Sequence, residues 1–406
     1  MRYSKLRFWF RAFLILSILI SEHSAFPASF TVLHAFSGEP DGGGLYGHLA
    51  VDAKGNIYGA TSGGGEYGEG TVFELTPEDG SNWNEFILHS FCRDYPPCKD
   101  GYLPTKGLTL DATGSLYGTT QDTVFGLTPS DSGWTFNVIQ EIATFDLIAD
   151  GRGNLYTEAG LGKCHGGSIL KLKPPPGAGY WIPKDIYDFC LHNNEFTKGS
   201  FPAYGLSWDR TGNLYGVTGD GGRNGYGVVF QLEHTPHGWK EHVLHSFRLD
   251  GQDGFYPQAG VVVDAAGNVY GSTMQGGSHG SQHCGGGCGT IYKLTKQPDG
   301  HWKETILYRF PKPNDGAMTT GTLAMDAAGN LYGVAGGTGK DCSCGLVYKF
   351  VHNPDDTWTY KVLHKFKGTD GAQPVAGVIL DAKGNIYGTT TTGGKGGYGV
   401  VFEITP

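Results

Sequence analysis

Short apolar segments recur along the chain, and each is bounded by glycine, aspartate or asparagine. They are rich in β-branched and aromatic side chains, as in AGVVVD, GVVFQLE and EFILHSF. This pattern predicts an all-β chain of short strands joined by tight turns. Of the 406 residues, 68 are glycine, and at this length we expect a repeat array or several domains instead of one compact core.

One eight-residue string organises these segments into repeats. DAKGNIYG begins at Asp52, and related strings begin at Asp111, Asp150, Asp209, Asp264, Asp326 and Asp381. Every copy contains an apolar run, an Asp-x-x-Gly turn, a strand that carries the tyrosine and a third strand, and six copies continue through a tryptophan into a fourth strand. Four strands per repeated unit predict the blade of a β-propeller.

The two ends of the repeat array are complementary. SFTVLHAF (Ser29–Phe36) matches the fourth strand of the unit, and the terminal GVVFEITP matches the third. We therefore predict an all-β, seven-bladed β-propeller with four-stranded blades over residues 29–406, in which the N-terminal strand closes the last blade and leaves no open edge. A linear solenoid is the alternative, and it would carry capping repeats at its ends.

The repeated aromatic residues are interpreted as packing residues. One tyrosine recurs six residues after each turn aspartate: Tyr58, Tyr117, Tyr156, Tyr215, Tyr270, Tyr332 and Tyr387. We expect each ring to pack between adjacent blades and its hydroxyl to bond to a loop, since few ligands need sevenfold recognition. A ring of ligand-binding tyrosines is the alternative.

Residues 1–28 have the features of a signal peptide. Four basic residues precede the nine-residue apolar run Ala12–Ile20, which is short for a membrane span. We predict cleavage near residues 25–28, with an uncleaved anchor as the alternative and no transmembrane segment after cleavage. The expected location is extracellular or periplasmic. The formal charge of −9 and the lack of a basic cluster argue against nucleic acid as a partner.

The chain has eight cysteines, and an even number behind an export signal predicts disulfides. We predict three bonds: Cys92–Cys98 and Cys284–Cys288, each within one loop, and Cys164–Cys190 between two loops of the third blade. Cys342 and Cys344 remain, and a bond between them is the open alternative. A zinc site at His279, His283, Cys284 and Cys288, with Cys164 and His165 as a weaker parallel, competes with the disulfide interpretation; we favour disulfides and predict no metal centre there.

An Asp-Gly pair recurs eleven residues before the turn aspartate. The positions are Asp41, Asp100, Asp253, Asp315 and Asp370, and Lys198 stands there in the fourth copy. These residues belong to the loops between blades, which we expect near the central channel. A partial ring of carboxylates could hold a cation such as calcium, although we favour a local role in which each aspartate accepts backbone N–H bonds of its own turn. No cofactor is otherwise predicted.

The loops between second and third strands vary in length, and they share a face with the loops between blades. We call this the variable face, and variable loops on a rigid scaffold commonly carry function. Besides the five aspartates, our candidate binding residues there are Tyr67, Asp220, Arg223, Tyr226 and Tyr398, and Glu66 and Lys340 are further charges that the repeat does not explain.

The full unit resembles a known repeat. HKFKGTDGAQPVAGVILDAKGNIYGTTTTGGKGGYGVVFEITP (residues 364–406) is similar almost throughout to the GloVer tandem repeat of exported bacterial proteins, and the similarity extends over nearly all of residues 30–406. The third copy departs most, because Thr157 replaces the glycine after the tyrosine and the loop before this blade is missing. The resemblance implies an exported, surface-associated protein, and it implies no reaction and no catalytic residues.

The chain contains none of the short motifs of serine hydrolases, nucleotide-binding loops or zinc proteases. We therefore expect a non-catalytic binding module whose extracellular ligand, a glycan or a protein, contacts the variable face. An enzyme acting on a polysaccharide or lactone at the central channel, as a lyase or hydrolase, is the second hypothesis and rests on analogy between folds. A structural surface-layer component is the third.

Overall fold

The computed structural model describes residues 28–78, 82–94, 97–160, 162–177, 179–191, 197–277, 284, 286–311, 319–336 and 344–405. The predicted signal peptide lies outside the described residues, apart from its last residue, Ala28. So do five residues named above: His279, His283, Asp315, Lys340 and Cys342. The described residues form β-strands and turns and contain no α-helix, so none of them belongs to a helix long and apolar enough to cross a membrane.

Seven antiparallel sheets of four strands are arranged as blades. The strands follow chain order from the inside outward in six blades, and in the seventh the N-terminal strand is outermost. The innermost strands are β2 (Ala50–Val51), β6 (Thr109–Leu110), β10 (Leu147–Ala149), β15 (Ser207–Trp208), β20 (Val262–Val263), β25 (Ala324–Met325) and β29 (Ile379–Leu380). The second strands are β3 (Ile57–Thr61), β7 (Leu116–Thr119), β11 (Leu155–Ala159), β16 (Leu214–Asp220), β21 (Val269–Thr273), β26 (Leu331–Ala335) and β30 (Ile386–Thr390).

The outer half of each blade contains its longer strands. The third strands are β4 (Thr71–Pro77), β8 (Val124–Ser130), β12 (Ser168–Lys173), β17 (Val228–Thr235), β23 (Thr290–Lys296), β27 (Leu346–His352) and β31 (Val400–Thr405). The outermost strands are β5 (Trp83–Ser90), β9 (Gly133–Gln140), β13 (Ile182–Asp188), β18 (Gly238–Ser246), β24 (Trp302–Arg309), β28 (Trp358–Lys365) and β1 (Ser29–Ala35). Three short strands, β14 (Ser200–Pro202), β19 (Gly254–Phe255) and β22 (Gln275–Gly276), belong to loops of the fourth and fifth blades.

The first strand of the chain closes the last blade. β1 pairs antiparallel with β31, from Ser29 opposite Thr405 to Ala35 opposite Val400. The seven-bladed β-propeller with N-terminal closure is therefore confirmed. The pairing covers the edge of β31 that would otherwise be open to intermolecular strand pairing.

The turn aspartate and the repeated tyrosine form one unit in every blade. In the first blade Asp52 Oδ1 accepts the backbone N–H groups of Lys54 and Asn56 at 2.8 and 2.9 Å. The hydroxyl of Tyr58 donates to Asp52 Oδ2 at 3.3 Å, and the other six copies repeat this bond at 2.9–3.4 Å. Six of the seven rings are nearly fully buried, so the packing role of the tyrosines is confirmed.

The glycine after each tyrosine makes room for the aromatic residue of the third strand. A Cβ on Gly59 would lie 2.4 Å from the Phe73 ring. In the third blade Thr157 replaces this glycine, and the residue opposite it on β12 is Leu170 instead of an aromatic residue. The departure of the third copy is therefore a paired change, in which a larger residue on one strand is matched by a smaller one on its neighbour.

The three predicted disulfides, Cys92–Cys98, Cys164–Cys190 and Cys284–Cys288, are present. The zinc interpretation of Cys284 and Cys288 is wrong, because both sulfurs are bonded to each other. Cys344 is also disulfide-bonded, whereas Cys342 lies outside the described residues.

Candidate functional site

The central channel of the propeller is lined by one repeated position, four residues before each turn aspartate. Glycine occupies it in four blades, as Gly107, Gly205, Gly260 and Gly377. Three blades carry a larger polar residue there, and these are His48, Asp146 and Thr322. All seven residues line a cavity of about 310 Å3 to which every blade contributes.

The cavity opens on the variable face. The loops between blades contribute Tyr46, Thr105 and Gln258 to its wall, and Tyr46 is half exposed. Loops between blades also pair with the loops between second and third strands, through bridges such as Gly43 to Gly63 and Ala372 to Thr392. The shared face inferred from the sequence is therefore observed, and the channel mouth lies at its centre.

His48 and Asp146 meet in the cavity although they come from the first and third blades. His48 Nε2 lies 3.0 Å from Asp146 Oδ2 and 3.2 Å from Oδ1. The imidazole ring crosses the second blade directly above Gly107, where a Cβ would come within 2.3 Å of it. Glycine at that position is what allows the contact between two blades that are not neighbours.

The pair is ionised at neutral pH. Burial by itself lowers the pKa of His48, but the charge and hydrogen bond of Asp146 outweigh it and raise the pKa to about 9. Burial would raise the pKa of Asp146, and His48 and Lys106 hold it below its usual value. The two side chains keep 33% and 21% of their surface exposed, and that surface faces the enclosed channel, so they are poorly screened by bulk water.

A buried carboxyl lies behind this pair. Glu158 belongs to β11, at a position that holds alanine, valine, serine or threonine in the other blades. Its Oε1 accepts the backbone N–H of Gly205 at 2.7 Å, and its Oε2 has no hydrogen-bond partner. Burial and the nearby Asp146 charge raise the pKa of Glu158 to about 8, so it holds a proton at neutral pH.

Lys106 completes the set of ionisable groups. It lines the same cavity, and its Nζ lies 5.3 Å from the centre of the Phe145 ring. The channel mouth therefore presents an imidazolium paired with a carboxylate and a lysine ammonium, with a protonated carboxyl behind them. His48 and Lys106 can donate hydrogen bonds to a polar ligand in the cavity, and Glu158, which is fully buried behind the cavity wall, holds a proton.

The recurrent aspartates lie elsewhere. Each of the four described ones pairs with a histidine on the outermost strand of the preceding blade, at 3.0–3.3 Å: His34–Asp41, His89–Asp100, His245–Asp253 and His364–Asp370. Each also accepts a backbone N–H of its own turn, at 2.7–3.1 Å. They are thus at the outer part of the blade junctions, further from the axis than we expected, and none of these four lines the channel cavity.

The candidate residues of the variable loops are dispersed. Tyr67 and Arg223 line separate shallow surface depressions. Tyr226 packs edge-on against Phe255, and Tyr398 is half exposed beside Gly38 and Gly43. Asp220 is exposed at the end of β16. None of these five lines the channel cavity, and whether they contact a ligand stays a prediction.

A family model for the Gloeobacter/Verrucomicrobia repeat matches residues 280–406. The remaining blades repeat the same unit of turn, tyrosine and third strand. Residues 280–406 therefore match this repeat family, and the described residues as a whole form a β-propeller. No curated protein sequence matches it.

Solved structures similar to this repeat propeller share its fold at low sequence identity. Virginiamycin B lyase from Staphylococcus aureus has a TM-score of 0.54 at 12% identity, over 93% of this chain and 99% of that one. The extracellular domain of a putative one-component system from B. thetaiotaomicron has a TM-score of 0.54 at 11% identity, over 92% of this chain and 39% of that one. A putative 6-phosphogluconolactonase from Bacteroides fragilis has a TM-score of 0.51 at 12% identity, over 83% and 87%. At such identities the similarity concerns the fold alone.

Sequence reasoning missed His48, Lys106, Asp146 and Glu158. A signal was present in the repeat: His48 and Asp146 interrupt a glycine position, and Glu158 places an acid among small and β-branched residues. An alignment of the seven copies would have singled out all three. Their convergence, in contrast, depends on the distance across the second blade, which the repeat does not encode.

Proposed function

We propose that this repeat propeller is an exported binding protein that takes a small polar ligand into the mouth of its central channel. The observation that carries the proposal is the convergence of His48, Asp146 and Glu158, three ionisable side chains at positions where the repeat otherwise has small or uncharged ones. The residues that recur faithfully are engaged in turns and packing, so these three are not needed to build a blade.

The size of the cavity restricts the ligand. About 310 Å3 is at the lower end of the range of about 300–1,000 Å3 that small-molecule sites occupy. The channel therefore suits a small molecule, or the terminal unit of a glycan whose remainder extends over the variable face. The predicted N-terminal signal peptide and the disulfides of the loops support export to an oxidising compartment.

Restoring the repeat tests this site with little disturbance of the fold. The double variant His48→Gly/Asp146→Gly gives both blades the residue found in four others, and Thr322→Gly does the same at the third interrupted position without removing a charge. Glycan and metabolite libraries would be screened by thermal shift against the mature wild-type protein, and affinities of the hits measured by calorimetry.

We expect a hit whose affinity falls at least tenfold in the double variant and stays within about twofold in Thr322→Gly. Ligands that bind the double variant as well as they bind the wild type would contradict the channel site. If Tyr67→Ala or Tyr398→Ala weakened them instead, the ligand would bind the variable loops.

An enzyme is the second candidate, and Glu158 favours it. A carboxyl that keeps its proton near neutral pH is suited to general acid catalysis, and the neighbouring Asp146 stays ionised, so the two carboxyls are separated in pKa. The names of the similar propellers suggest lyase and lactonase substrates for assay. Glu158→Gln should abolish turnover of any such substrate while leaving its binding intact, and turnover that persists in this variant would exclude the role.

A further inference from the structure

The outer junctions between blades are built on two repeated positions. One blade contributes the residue two positions after the tryptophan of its outermost strand. The preceding blade contributes the residue six positions after its own tryptophan. β1 has no tryptophan, and its equivalent positions are used. In three junctions both are rings, and they stack: Phe136 on His89, Tyr360 on Tyr308 and Phe30 on His364, with centroids 3.7, 4.8 and 3.6 Å apart.

Three other junctions have a glutamate in place of the ring. Between the third and fourth blades this residue is Glu241, and Lys198 supplies a cation to it, with Nζ 3.2 Å from Oε2. Lys198 stands where the other repeats have the loop aspartate. At this junction one of the protein's own cations therefore neutralises the glutamate.

The junction between the fourth and fifth blades has the glutamate and keeps the aspartate. His245 Nε2 lies 3.0 Å from Asp253 Oδ2 and 3.6 Å from Glu304 Oε1. No lysine takes the place of Lys198. Arg248 approaches Asp253, with Nε 3.4 Å from Oδ2, but it is half exposed and lies equally close to Asp250. Two carboxylates therefore face one imidazole in a mostly buried space.

Several polar atoms in this space lack hydrogen-bond partners. The side chain of Asp253 is fully buried, yet its Oδ1 has no hydrogen bond. The Oε1 atom of Glu304 and the buried hydroxyl of Tyr292 also have none, and Tyr292 lies on β23, the strand paired with that of Glu304. Buried polar atoms are rarely left without a partner, which points to a ligand at this position.

We propose that His245, Asp253 and Glu304 bind a divalent cation between the fourth and fifth blades. Their ligating atoms all lie within 4.8 Å of one another. Ligands at about 2.0–2.1 Å from a tetrahedral ion are about 3.3–3.4 Å apart, close to the two distances from His245 Nε2. One imidazole and two carboxylates suit Zn2+ or Mn2+ better than Ca2+, which prefers oxygen ligands alone.

The equivalent set between the seventh and first blades does not meet the same standard. His34, Asp41 and Glu85 are also close together, but the side chain of Asp41 keeps 16% of its surface exposed, whereas that of Asp253 is fully buried. The proposed cation between the fourth and fifth blades would join them at their outer edge, remote from the channel. The proposal is therefore independent of the ligand site in the channel.

Zinc titration of the metal-stripped mature protein tests the site. We would dialyse it against EDTA, remove the chelator and titrate Zn2+ by calorimetry at pH 7, using Glu304→Gln as the test variant. Glu241→Gln is the matched control, since it removes a junction glutamate that a lysine already neutralises. Far-UV circular dichroism and melting in EDTA would establish that each variant is folded.

The expected result is that Glu304→Gln binds one equivalent less than the wild type, or binds it at least tenfold more weakly, while Glu241→Gln matches the wild type. Asp253→Asn should reproduce the loss if Glu304→Gln fails to fold. Co2+ should give the wild type a visible absorption band that the test variants lack. A wild type that binds no Zn2+, or a folded Glu304→Gln that binds as much as the wild type, would overturn the proposal.

Discussion

His48 of the first blade and Asp146 of the third form an ion pair across the second blade, with 3.0 Å between Nε2 and Oδ2. The contact passes over Gly107, the glycine that occupies the same position in the intervening blade. Because each blade of a propeller is rotated from the next around the channel, only side chains near the axis can span two junctions. The innermost ring is therefore where a few substitutions create a shared site without disturbing the blades.

Gly107→Ala should separate this pair. The added methyl would come within 2.3 Å of the His48 ring, and relieving such overpacking costs about 1–3 kcal/mol. Gly151→Ala is the matched control, because a Cβ there meets no atom within 4 Å. Urea unfolding of both variants would measure the difference, and equal stabilities would show that His48 does not lie over Gly107.

The His48–Asp146 pair should make the stability of the protein fall as the pH rises from 6.5 to about 9. The pKa of His48 rises on folding from 6.5 to about 9, so its contribution is complete below pH 6.5 and disappears as the pH rises through 9. After a discount for the surface exposed to the channel, we expect about 1–2 kcal/mol. His48→Gln should lack this decline between pH 6.5 and 9 in denaturant melts, and an unchanged profile would contradict the pairing.

Glu158 should make stability fall as the pH rises from 4.5 to about 8. Its pKa rises on folding from 4.5 to about 8, so the folded state keeps a proton that the unfolded state loses, and the cost grows between these two values. Glu158→Gln should therefore gain about 2–4 kcal/mol relative to the wild type between pH 4.5 and 8. A stability difference that stays constant with pH would mean that Glu158 is ionised in the folded protein.

Substitutions at Thr157 and Leu170 should have strongly non-additive effects on stability. Leu170→Phe alone would force a ring against Thr157, and Thr157→Gly alone would leave space, each costing about 1–3 kcal/mol. The double variant has the glycine and phenylalanine of the other blades, so its stability should be close to that of the wild type. A double-mutant cycle measures this, and additive losses would disprove the compensation.

The repeated tyrosines should be required for stability and not for ligand binding. Tyr215 is almost fully buried, and its hydroxyl is bonded to Asp209 at 3.1 Å and Gln231 at 2.6 Å. Tyr215→Ala should cost about 3–5 kcal/mol, and Tyr215→Phe about 1–2 kcal/mol. Thermal melts would show whether Tyr215→Ala is less stable than Tyr215→Phe. A channel ligand identified with the wild type should bind Tyr215→Phe with unchanged affinity.

The blades, their number and the closure by Ser29–Ala35 could all be predicted from the sequence, because they depend on local chemistry. Asp52 and Tyr58 are six residues apart and interact within one hairpin, so their spacing alone predicts their role. The disulfides within loops, such as Cys92–Cys98, are local in the same sense. The seventh copy has no tryptophan turn because its outermost strand is the N-terminal strand β1.

The site depended on distances that no spacing encodes. His48 and Asp146 are 98 residues apart, and they meet only because the ring brings the first and third blades to one axis and because Gly107 leaves the path open. Likewise, the aspartates that recur in the sequence were expected near the channel, but their bonds to the histidines of the preceding outermost strands keep them at the outer junctions. The sequence alone determined the fold through repeated short-range contacts, whereas the tertiary structure decided which departures from the repeat share a cavity.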